Sequence, residues 1–385
     1  MKPLQPNSDD QRPIRVFVHL AYGFDARKWE RSWLEGHLVG FNTRTPYGYH
    51  LAEAAGCKVQ FSEDRPEGRF RRLVRLGFRA LLGFDLVHAW RNRRAARDAD
   101  VIWTHTESQF LSFALIRALS RWPREPKLLG QAVWLIDRWD HYGPLRRALY
   151  RALLQHVDVL TVLSPLNLAR ARALFPGTRC ELVLFGIPTD ERAPARSPAA
   201  AGRLQVVAIG NDEHRDWDTL LAALGGCEAC DLRIVTAVLP PERADRFPNV
   251  RIGRITRNDE LRSLYRTADL MVVPLKPNLH ASGITVMQEA ALSRLPMVVS
   301  DVGGLRPYFA DTAVRYVPAG QPQALRDAVL NLARDSGAQA RLAEEASARM
   351  GPNGLGAESY VRRHVELSLD LLADTGCVDP AVARP

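Results

Sequence analysis

The chain has 385 residues, of which 46% are hydrophobic, and a formal net charge of +9. Its length exceeds the roughly 250–300 residues that one hydrophobic core usually serves, so we expect two domains. Five scattered cysteines exclude a disulfide framework, and every apolar run is interrupted by a charge before about 18 residues, which excludes a membrane-spanning helix.

The positive charge lies in the first half of the sequence. Residues 1–190 hold 29 Lys and Arg against 19 Asp and Glu, whereas residues 191–385 hold 23 against 24. Between 65 and 97, arginines alternate with apolar residues; these are Arg65, Arg69, Arg71, Arg72, Arg75, Arg79, Arg91, Arg93, Arg94 and Arg97. A basic amphipathic segment of this type is typical of proteins that lie on an anionic membrane. A solvated helix face is the alternative, and no motif indicates binding to nucleic acid.

Strand-like and helical patterns alternate in both halves, which predicts two parallel-sheet α/β domains. In the first half we predict a helix over Tyr47–Ala55 and five strands, Ile14–Leu20, Cys57–Phe61, Val101–Thr104, Lys127–Val133 and Val157–Leu163. The polar opening residues lack the apolar core of a signal peptide. We therefore expect a cytoplasmic protein, peripheral on the inner face of the plasma membrane.

A stretch rich in Pro and Ala at 191–203 predicts a linker between a first domain, 1–190, and a second domain, 204–355. A C-terminal helix and tail occupy 356–385, with the helix over Glu358–Leu372. The second domain is predicted to contain two helices, Leu261–Thr267 and Gln323–Arg334, and five strands, Leu204–Ile209, Asp231–Val235, Val250–Ile252, Leu270–Val273 and Met297–Ser300.

The stretch 278–304 joins a small-residue turn to a helix and then to an apolar strand. The turn contains Ser282 and Gly283, the helix carries Glu289, and the strand ends in Asp301-Val302-Gly303-Gly304. A glycine-containing turn lets backbone N–H groups at a helix N-terminus face a phosphate, and an acid further along can accept hydrogen bonds from ribose or sugar hydroxyls. This pattern predicts a pocket for a nucleotide sugar.

The same stretch resembles the C-terminal signature of the GT-B glycosyltransferases, most nearly the family-four group. Glu289-Ala290, Arg294-Leu295-Pro296 and Asp301-Val302-Gly303-Gly304 fit the frame in order, whereas Ala281 stands where the family has a first Glu. The resemblance covers 204–345 well and the first half weakly. It implies an α/β GT-B fold, in which two Rossmann-like doubly wound domains face a cleft and the last helix crosses back to the first domain.

The donor is expected in the second domain, in loops that follow strands. Arg215 is the candidate clamp for the diphosphate, since an Arg can grip phosphate with two parallel donors. A solvated charge at a helix start is the alternative. The resemblance assigns ribose hydroxyls to Glu289. The remaining donor-binding candidates are Gly210, Asn211, Lys276, His280, Ser282, Gly283, Ile284 and Thr285.

The acceptor is expected in the first domain. Asp137 or Asp140 could deprotonate an acceptor hydroxyl if the enzyme inverts configuration, with Asp137 the favoured candidate, and His141 could assist instead. Candidate acceptor contacts, each with loop structure as the alternative, are Tyr22, Gly23, His105 and Glu107. Family-four relatives retain configuration, so the stereochemistry stays open.

No metal site is predicted. Two Asp-x-Asp pairs, Asp98 with Asp100 and Asp216 with Asp218, are interpreted as solvated acids. GT-B transferases offset the leaving-group charge with helix dipoles and cations, so we expect a metal-independent reaction without a cofactor.

Together these features predict a glycosyltransferase that moves a sugar from a UDP- or GDP-linked donor to a lipid-linked or other glycan acceptor, in surface or exopolysaccharide biosynthesis. A nucleotide-sugar epimerase remains an alternative, as does a non-catalytic partner that binds nucleotide sugars. The epimerase would change a donor sugar without an acceptor, and the partner would bind a donor without turnover.

Overall fold

The computed structural model describes residues 12–120, 122, 125–190, 192–193 and 202–373. Most of the predicted linker, 191–203, therefore lies outside the described residues. The chain folds into two compact units. Unit 1 comprises the described residues of Met1–Arg31, Thr43–Leu184 and Ala357–Pro385, and unit 2 comprises Ser32–Asn42 and Phe185–Gly356.

Unit 1 is built on a sheet of six parallel strands in the order β2-β1-β3-β4-β5-β6. The strands are β1 Ile14–His19, β2 Cys57–Phe61, β3 Val101–Thr104, β4 Lys127–Ala132, β5 Val159–Val162 and β6 Cys180–Leu182. The helices are α1 Ala26–Leu34, whose last turn belongs to unit 2, α2 Arg69–Leu82, α3 Leu86–Arg97, α4 Glu107–Leu119, α5 Pro144–Leu154, α6 Pro165–Leu174 and the C-terminal α12 Ala357–Ala373.

Unit 2 repeats this plan with strand order β12-β11-β10-β7-β8-β9, again all parallel. The strands are β7 Leu204–Ile209, β8 Cys230–Val235, β9 Val250–Gly253, β10 Leu270–Val273, β11 Met297–Ser300 and β12 Arg315–Val317. The helices are α7 Trp217–Leu224, α8 Asn258–Thr267, α9 Ile284–Leu292, α10 Pro322–Arg334 and α11 Ser336–Arg349.

Burial on both faces explains why the strands read as continuous apolar runs. Every residue of β10 and β11 is buried, as parallel sheets covered by helices require. The core of unit 2 includes Cys227 and Cys230, which pack as apolar side chains. The predicted fold class, two parallel α/β sheets with flanking helices, is confirmed.

The helix α12 packs against the sheet of unit 1. Ser368 accepts a hydrogen bond from Trp103 Nε1 at 2.9 Å, and the Tyr360 hydroxyl donates to Gln131 Oε1 at 2.6 Å. Tyr49 completes this buried polar cluster, its hydroxyl 2.9 Å from that of Tyr360. Three aromatic hydroxyl or indole groups are thereby satisfied inside the core of unit 1.

The helix predicted over Tyr47–Ala55 is present as a 3₁₀ helix, Pro46–Ala55, with positive φ at Tyr47 and Gly48. One local prediction is wrong, since the acids Asp100 and Asp216 are buried rather than solvated. Asp100 accepts hydrogen bonds from Arg12 and from Arg15, and Asp216 caps α7 by accepting from the Thr219 amide.

Candidate functional site

The two loops that carry the donor predictions lie side by side in unit 2. They follow β7 and β10, which are neighbours in the sheet although three strands apart in sequence. The strand order reverses between them, and ligands of doubly wound sheets bind at such a point. Backbone hydrogen bonds tie the loops together, from the Asp216 amide to the Pro274 carbonyl at 3.0 Å and from the Lys276 amide to the His214 carbonyl at 2.8 Å.

Arg215 lies buried between two glycines, with 5% of its surface exposed. A Cβ on Gly210 would stand 1.7 Å from Arg215 Nε, and a Cβ on Gly283 would stand 2.6 Å from Nη1. Glycine is therefore required on both sides of the guanidinium. Its anionic neighbour Asp212 is 3.7 Å away, and neither Nε nor Nη1 has a hydrogen-bond partner among the described residues. Burial lowers the pKa of Arg215, while Asp212 opposes the shift.

Hydrogen bonds and close packing fix the turn before α9 in place. Asn278 Oδ1 accepts from the Ser282 amide at 3.1 Å, and Ser282 Oγ donates to Asp212 Oδ2 at 2.9 Å. A Cβ on Gly303 would stand 2.5 Å from Asn278 Oδ1, so the Asp-Val-Gly-Gly motif buttresses this turn. Ala281 and Gly283 both have positive φ, at 56° and 86°.

Among the described residues, some backbone amides around the start of α9 donate hydrogen bonds within the protein, and others do not. The Ile284 amide donates to the Ala281 carbonyl, and that of Ser282 is already bound to Asn278. The amides of Gly283, Thr285 and Val286 have no acceptor among the residues that the structure describes. Thr285 is exposed, so the open end of the helix reaches the surface.

Glu289 is 4% exposed, and both of its oxygens accept hydrogen bonds. Oε1 accepts from the Phe41 amide at 3.0 Å and Oε2 accepts from the Tyr265 hydroxyl at 2.7 Å. Burial raises the pKa of Glu289, against the opposing effects of these donors and of Arg262. Phe41 belongs to the segment Ser32–Asn42, which is remote in sequence but part of unit 2.

The other donor candidates occupy different surroundings. Asn211 Oδ1 accepts from the Ala237 amide at 2.6 Å, which fixes the side chain on the neighbouring loop. Lys276 is exposed. His280 is buried, with its ring centroid 4.9 Å from that of His214.

In unit 1, the side chains of His105 and Glu107 make hydrogen bonds to other residues of the same unit. His105 Nδ1 lies 3.0 Å from the Tyr49 hydroxyl, and its ring stacks on Tyr47 at 3.6 Å. Burial lowers the pKa of His105 to about 3. Glu107 Oε2 accepts from the amides of Val133 and Trp134, so this acid anchors the loop after β4 to the start of α4. Burial raises the pKa of Glu107.

The candidate base Asp137 is half-buried in the loop after β4, and His141 is exposed at the end of a 3₁₀ turn, Trp139–His141. In the first loop, the Gly23 amide donates to Asp64 Oδ2 at 2.7 Å, and φ of Gly23 is +102°. The Tyr22 ring lies 4.0 Å from the Arg75 guanidinium.

Sequence reasoning missed four groups that shape the donor site: Phe41, Asp212, Tyr265 and Asn278. Asp212 and Asn278 each lie within four residues of a predicted site residue, so their loop position was a usable signal. Phe41 and Tyr265 reach Glu289 across 248 and 24 residues of sequence, and no local pattern reports such contacts. Among the described residues, no group of three or more His, Cys, Asp or Glu side chains could hold a metal ion.

Comparisons with known proteins agree with this architecture. Residues 204–335 match the family model for glycosyl transferases group 1. Sucrose-phosphate synthase from Thermosynechococcus elongatus superposes with a TM-score of 0.72 at 17% identity, covering 94% of this chain and 100% of its own. HepE from Anabaena, solved with UDP-glucose, gives 0.64 at 14% identity, covering 93% and 99%.

A glycosyltransferase from Rickettsia africae gives a TM-score of 0.60 at 10% identity, covering 93% of this chain and 99% of its own. Among curated protein sequences, none matches the chain. The fold resemblance spans both units, whereas the family model covers most of unit 2. The chain has the GT-B fold of these glycosyltransferase structures, and its residues 204–335 are similar to the glycosyl transferases group 1 family.

Proposed function

We propose that the protein transfers a sugar from a UDP-linked donor to a hydroxyl group of a glycan or lipid-linked acceptor. The observation that carries the proposal is the buried guanidinium of Arg215, which keeps two donors without a partner beside the open N-terminus of α9. Binding of UDP and UDP-glucose by the structural neighbour HepE supports a uridine nucleotide. GDP-linked sugars are the alternative donors.

The leaving group in such a transfer is a nucleoside diphosphate, whose terminal phosphate gains negative charge as the sugar departs. The N–H groups of Arg215 can donate to its oxygens, and the amides of Gly283 and Thr285 can donate from the positive end of α9. Because these donors are fixed by the glycines and by the Ser282–Asp212 contact, they stabilise the developing charge without rearranging. We propose that this cation and helix end make the reaction independent of a metal.

Glu289 is suited to the ribose hydroxyls. Each carboxylate oxygen has two acceptor positions, and Phe41 and Tyr265 use one on each oxygen. One position per oxygen therefore remains for a hydroxyl. The existing hydrogen bonds fix the orientation of the carboxylate before the donor arrives.

On the acceptor side we propose Asp137 as the base and His141 as an assisting group. A direct displacement requires a base within hydrogen-bond reach of the acceptor hydroxyl. Asp137→Asn should lower kcat far more than it lowers donor affinity, and the anomeric configuration of the product, read by NMR, distinguishes inversion from retention. Full activity in Asp137→Asn would remove Asp137 from the mechanism.

We further propose that the acceptor is presented at an anionic membrane, because α2 has its apolar side outward. The buried side chain of α2 is Arg75, which is paired with Glu67 at 3.0 Å and Asp85 at 2.7 Å. The outward stripe includes Phe70, Leu73 and Leu81, which are 78%, 71% and 74% exposed. Arg75 thus does not belong to the basic surface that the sequence predicted.

This arrangement suits a helix that lies in the headgroup layer, with its apolar stripe among the acyl chains and Arg69 and Arg71 beside the phosphates. No helix of the described residues is long and apolar enough to cross a membrane. Together with membrane docking we propose a lipid-linked acceptor and a role in surface or exopolysaccharide biosynthesis.

The membrane proposal is tested by sedimentation with vesicles of phosphatidylglycerol or phosphatidylcholine. Burying one such apolar side chain stabilises binding by about 1.5–3 kcal/mol, so Leu73→Ser and Leu81→Ser should each weaken binding to anionic vesicles roughly 10- to 100-fold. Leu145→Ser on α5 is the matched control, since Leu145 is 88% exposed. Equal binding by all three variants would refute docking through α2.

The transfer proposal is tested by incubating the protein with UDP- and GDP-sugars and with lipid-linked and free glycan acceptors. We expect release of the nucleoside diphosphate and formation of a glycosylated acceptor. An epimerised sugar without any acceptor product would indicate the epimerase alternative. Donor binding with neither transfer nor hydrolysis would indicate a non-catalytic binding protein.

A further inference from the structure

A second polar cavity lies wholly within unit 1, at the carboxyl ends of β1 and β3. Its volume is about 110 Å³, and its lining includes His19 and Tyr22 from the β1 end, Asp85 and His88 from the start of α3, and Ser108 from α4. The strand order of this sheet reverses between β1 and β3. The cavity therefore occupies the position at which doubly wound sheets bind ligands.

Two histidines in the wall of this cavity are buried without the hydrogen bonds that buried imidazoles normally make. His19 and His88 are each 1% exposed, and their rings stack with centroids 4.8 Å apart. His19 Nδ1 has no partner among the described residues. His88 faces the Leu20 carbonyl, and its Nε2 lies 3.7 Å from Asp64 Oδ1, yet neither ring nitrogen makes a hydrogen bond of normal geometry.

A third buried histidine of unit 1, His364, does have a hydrogen-bond partner for its ring. His364 is also 1% exposed, and its Nδ1 lies 2.9 Å from the Tyr360 carbonyl. The fold can therefore supply a partner to a buried imidazole. Among the described residues it does so for His364 and not for His19, so Nδ1 of His19 is left available to a further hydrogen-bond partner.

The charges around the cavity favour a neutral, hydroxyl-bearing ligand. Asp64 is paired with Lys28 at 2.6 Å, and Asp85 is paired with Arg75 at 2.7 Å. Among the residues that line the cavity, Arg79 is the one cation, and it is exposed. A phosphate in the depth of the cavity would meet the Asp85 carboxylate, and the buried cation beside Tyr22, Arg75, is already paired with Glu67 and Asp85.

Neutral imidazoles suit hydroxyl groups. Burial lowers the pKa of His19 well below its ordinary value, and His88 acts in the same direction. Burial also lowers the pKa of His88, against the pull of Asp64 and Asp85. A neutral imidazole donates through one nitrogen and accepts through the other, as an alcohol does through its oxygen.

We propose that this cavity is a saccharide-binding site, in which His19 and His88 hydrogen-bond to hydroxyl groups of the acceptor. The assignment to the acceptor rests on the proposed transferase function, whereas the assignment to a saccharide rests on the cavity alone. His19 and His88 are binding residues in this account, and Asp137 remains the proposed base.

The binding test uses methyl glycosides of glucose, mannose and galactose as probes and reads the histidine ring signals of the whole protein by NMR. His19→Gln and His88→Gln assign the two signals. We expect at least one glycoside to shift the signals of His19 and His88 and to leave that of His364 in place. No shift with any glycoside would overturn the proposal, and so would an equal shift with inorganic phosphate.

The kinetic test separates this proposal from the transferase proposal. In His19→Gln and His88→Gln, the KM for the acceptor should rise at least 10-fold, whereas the KM for the donor and the rate of donor hydrolysis without acceptor should stay unchanged. An unchanged acceptor KM would overturn the site even if transfer is normal. Far-UV circular dichroism and the melting temperature of each variant show whether it is folded, and His88→Asn offers a smaller replacement if the Gln variant is not.

Discussion

Replacement of Arg215 by Met should reduce activity and at the same time stabilise the fold. Two donors of this guanidinium, Nε and Nη1, have no acceptor among the described residues. A hydrogen bond to a charged group contributes about 1.5–3 kcal/mol, so two bonds to the diphosphate contribute about 3–6 kcal/mol. Since about 1.4 kcal/mol corresponds to a factor of ten, kcat/KM should fall roughly 100- to 10,000-fold.

The stability prediction has the opposite sign because the charge is costly to bury in the absence of the donor. Asp212 lies 3.7 Å away, and most of the guanidinium's hydrogen-bonding capacity is unused. Methionine fills a similar volume without this penalty, so the free energy of unfolding should rise.

Arg75→Met is the matched control. Arg75 is equally buried, at 6% exposure, but its guanidinium is paired with Glu67 and Asp85. Removing one partner of a buried ion pair costs about 3–5 kcal/mol, so this variant should lose stability. Urea unfolding measures both variants, and a coupled assay of UDP release measures activity per folded molecule. If Arg215→Met unfolds as readily as Arg75→Met and keeps full activity, the guanidinium has a structural role and the reasoning is refuted.

Three further predictions follow from individual side chains. Gly210→Ala places a Cβ against the Arg215 guanidinium and should raise the KM for the donor at least 10-fold. Gly143→Ala is the control, because a Cβ there meets no atom within 4 Å and should leave the KM unchanged. Equal KM values for the two variants would contradict the close packing of Gly210 against Arg215. Glu289→Gln removes a charged acceptor from the ribose and should weaken UDP binding roughly 10- to 100-fold by calorimetry. Burial lowers the pKa of His364 to about 4, below the ordinary value of 6.5, so its contribution to stability is present above pH 6.5 and is lost as the pH falls toward 4. Urea unfolding between pH 7 and 5 should show that His364→Gln loses up to about 1.4 kcal/mol less per pH unit than the wild type, and an equal loss in the two proteins would contradict the prediction.

The fold followed from the sequence most clearly where strands are buried at every position. Runs such as Leu270–Val273 are apolar at every position, because both faces of a parallel sheet are covered. The two strands missed, β6 and β12, have three residues each and include Glu181 and Arg315. Short edge strands with charged residues carry too little periodicity to be recognised.

The sequence predicted individual site residues from their position after a strand. It did not predict contacts between residues that are distant in the chain. Arg215 and Gly283 stood out because each follows a predicted strand. Their meeting depends on β7 and β10 becoming neighbours, which no local pattern reports. The histidine pair in unit 1 was missed for the same reason, since His19 and His88 are 69 residues apart and meet only when α3 packs beside β1.

The central claim is that Arg215 and the N-terminus of α9 bind a diphosphate. Calorimetric titration of UDP, UMP and uridine into the wild-type protein and into Arg215→Met tests it most directly. We predict that UDP binds the wild type at least 100-fold more tightly than UMP and that most of this difference disappears in the variant. Equal affinities of UDP and UMP for the wild type, or an undiminished difference in Arg215→Met, would contradict the account.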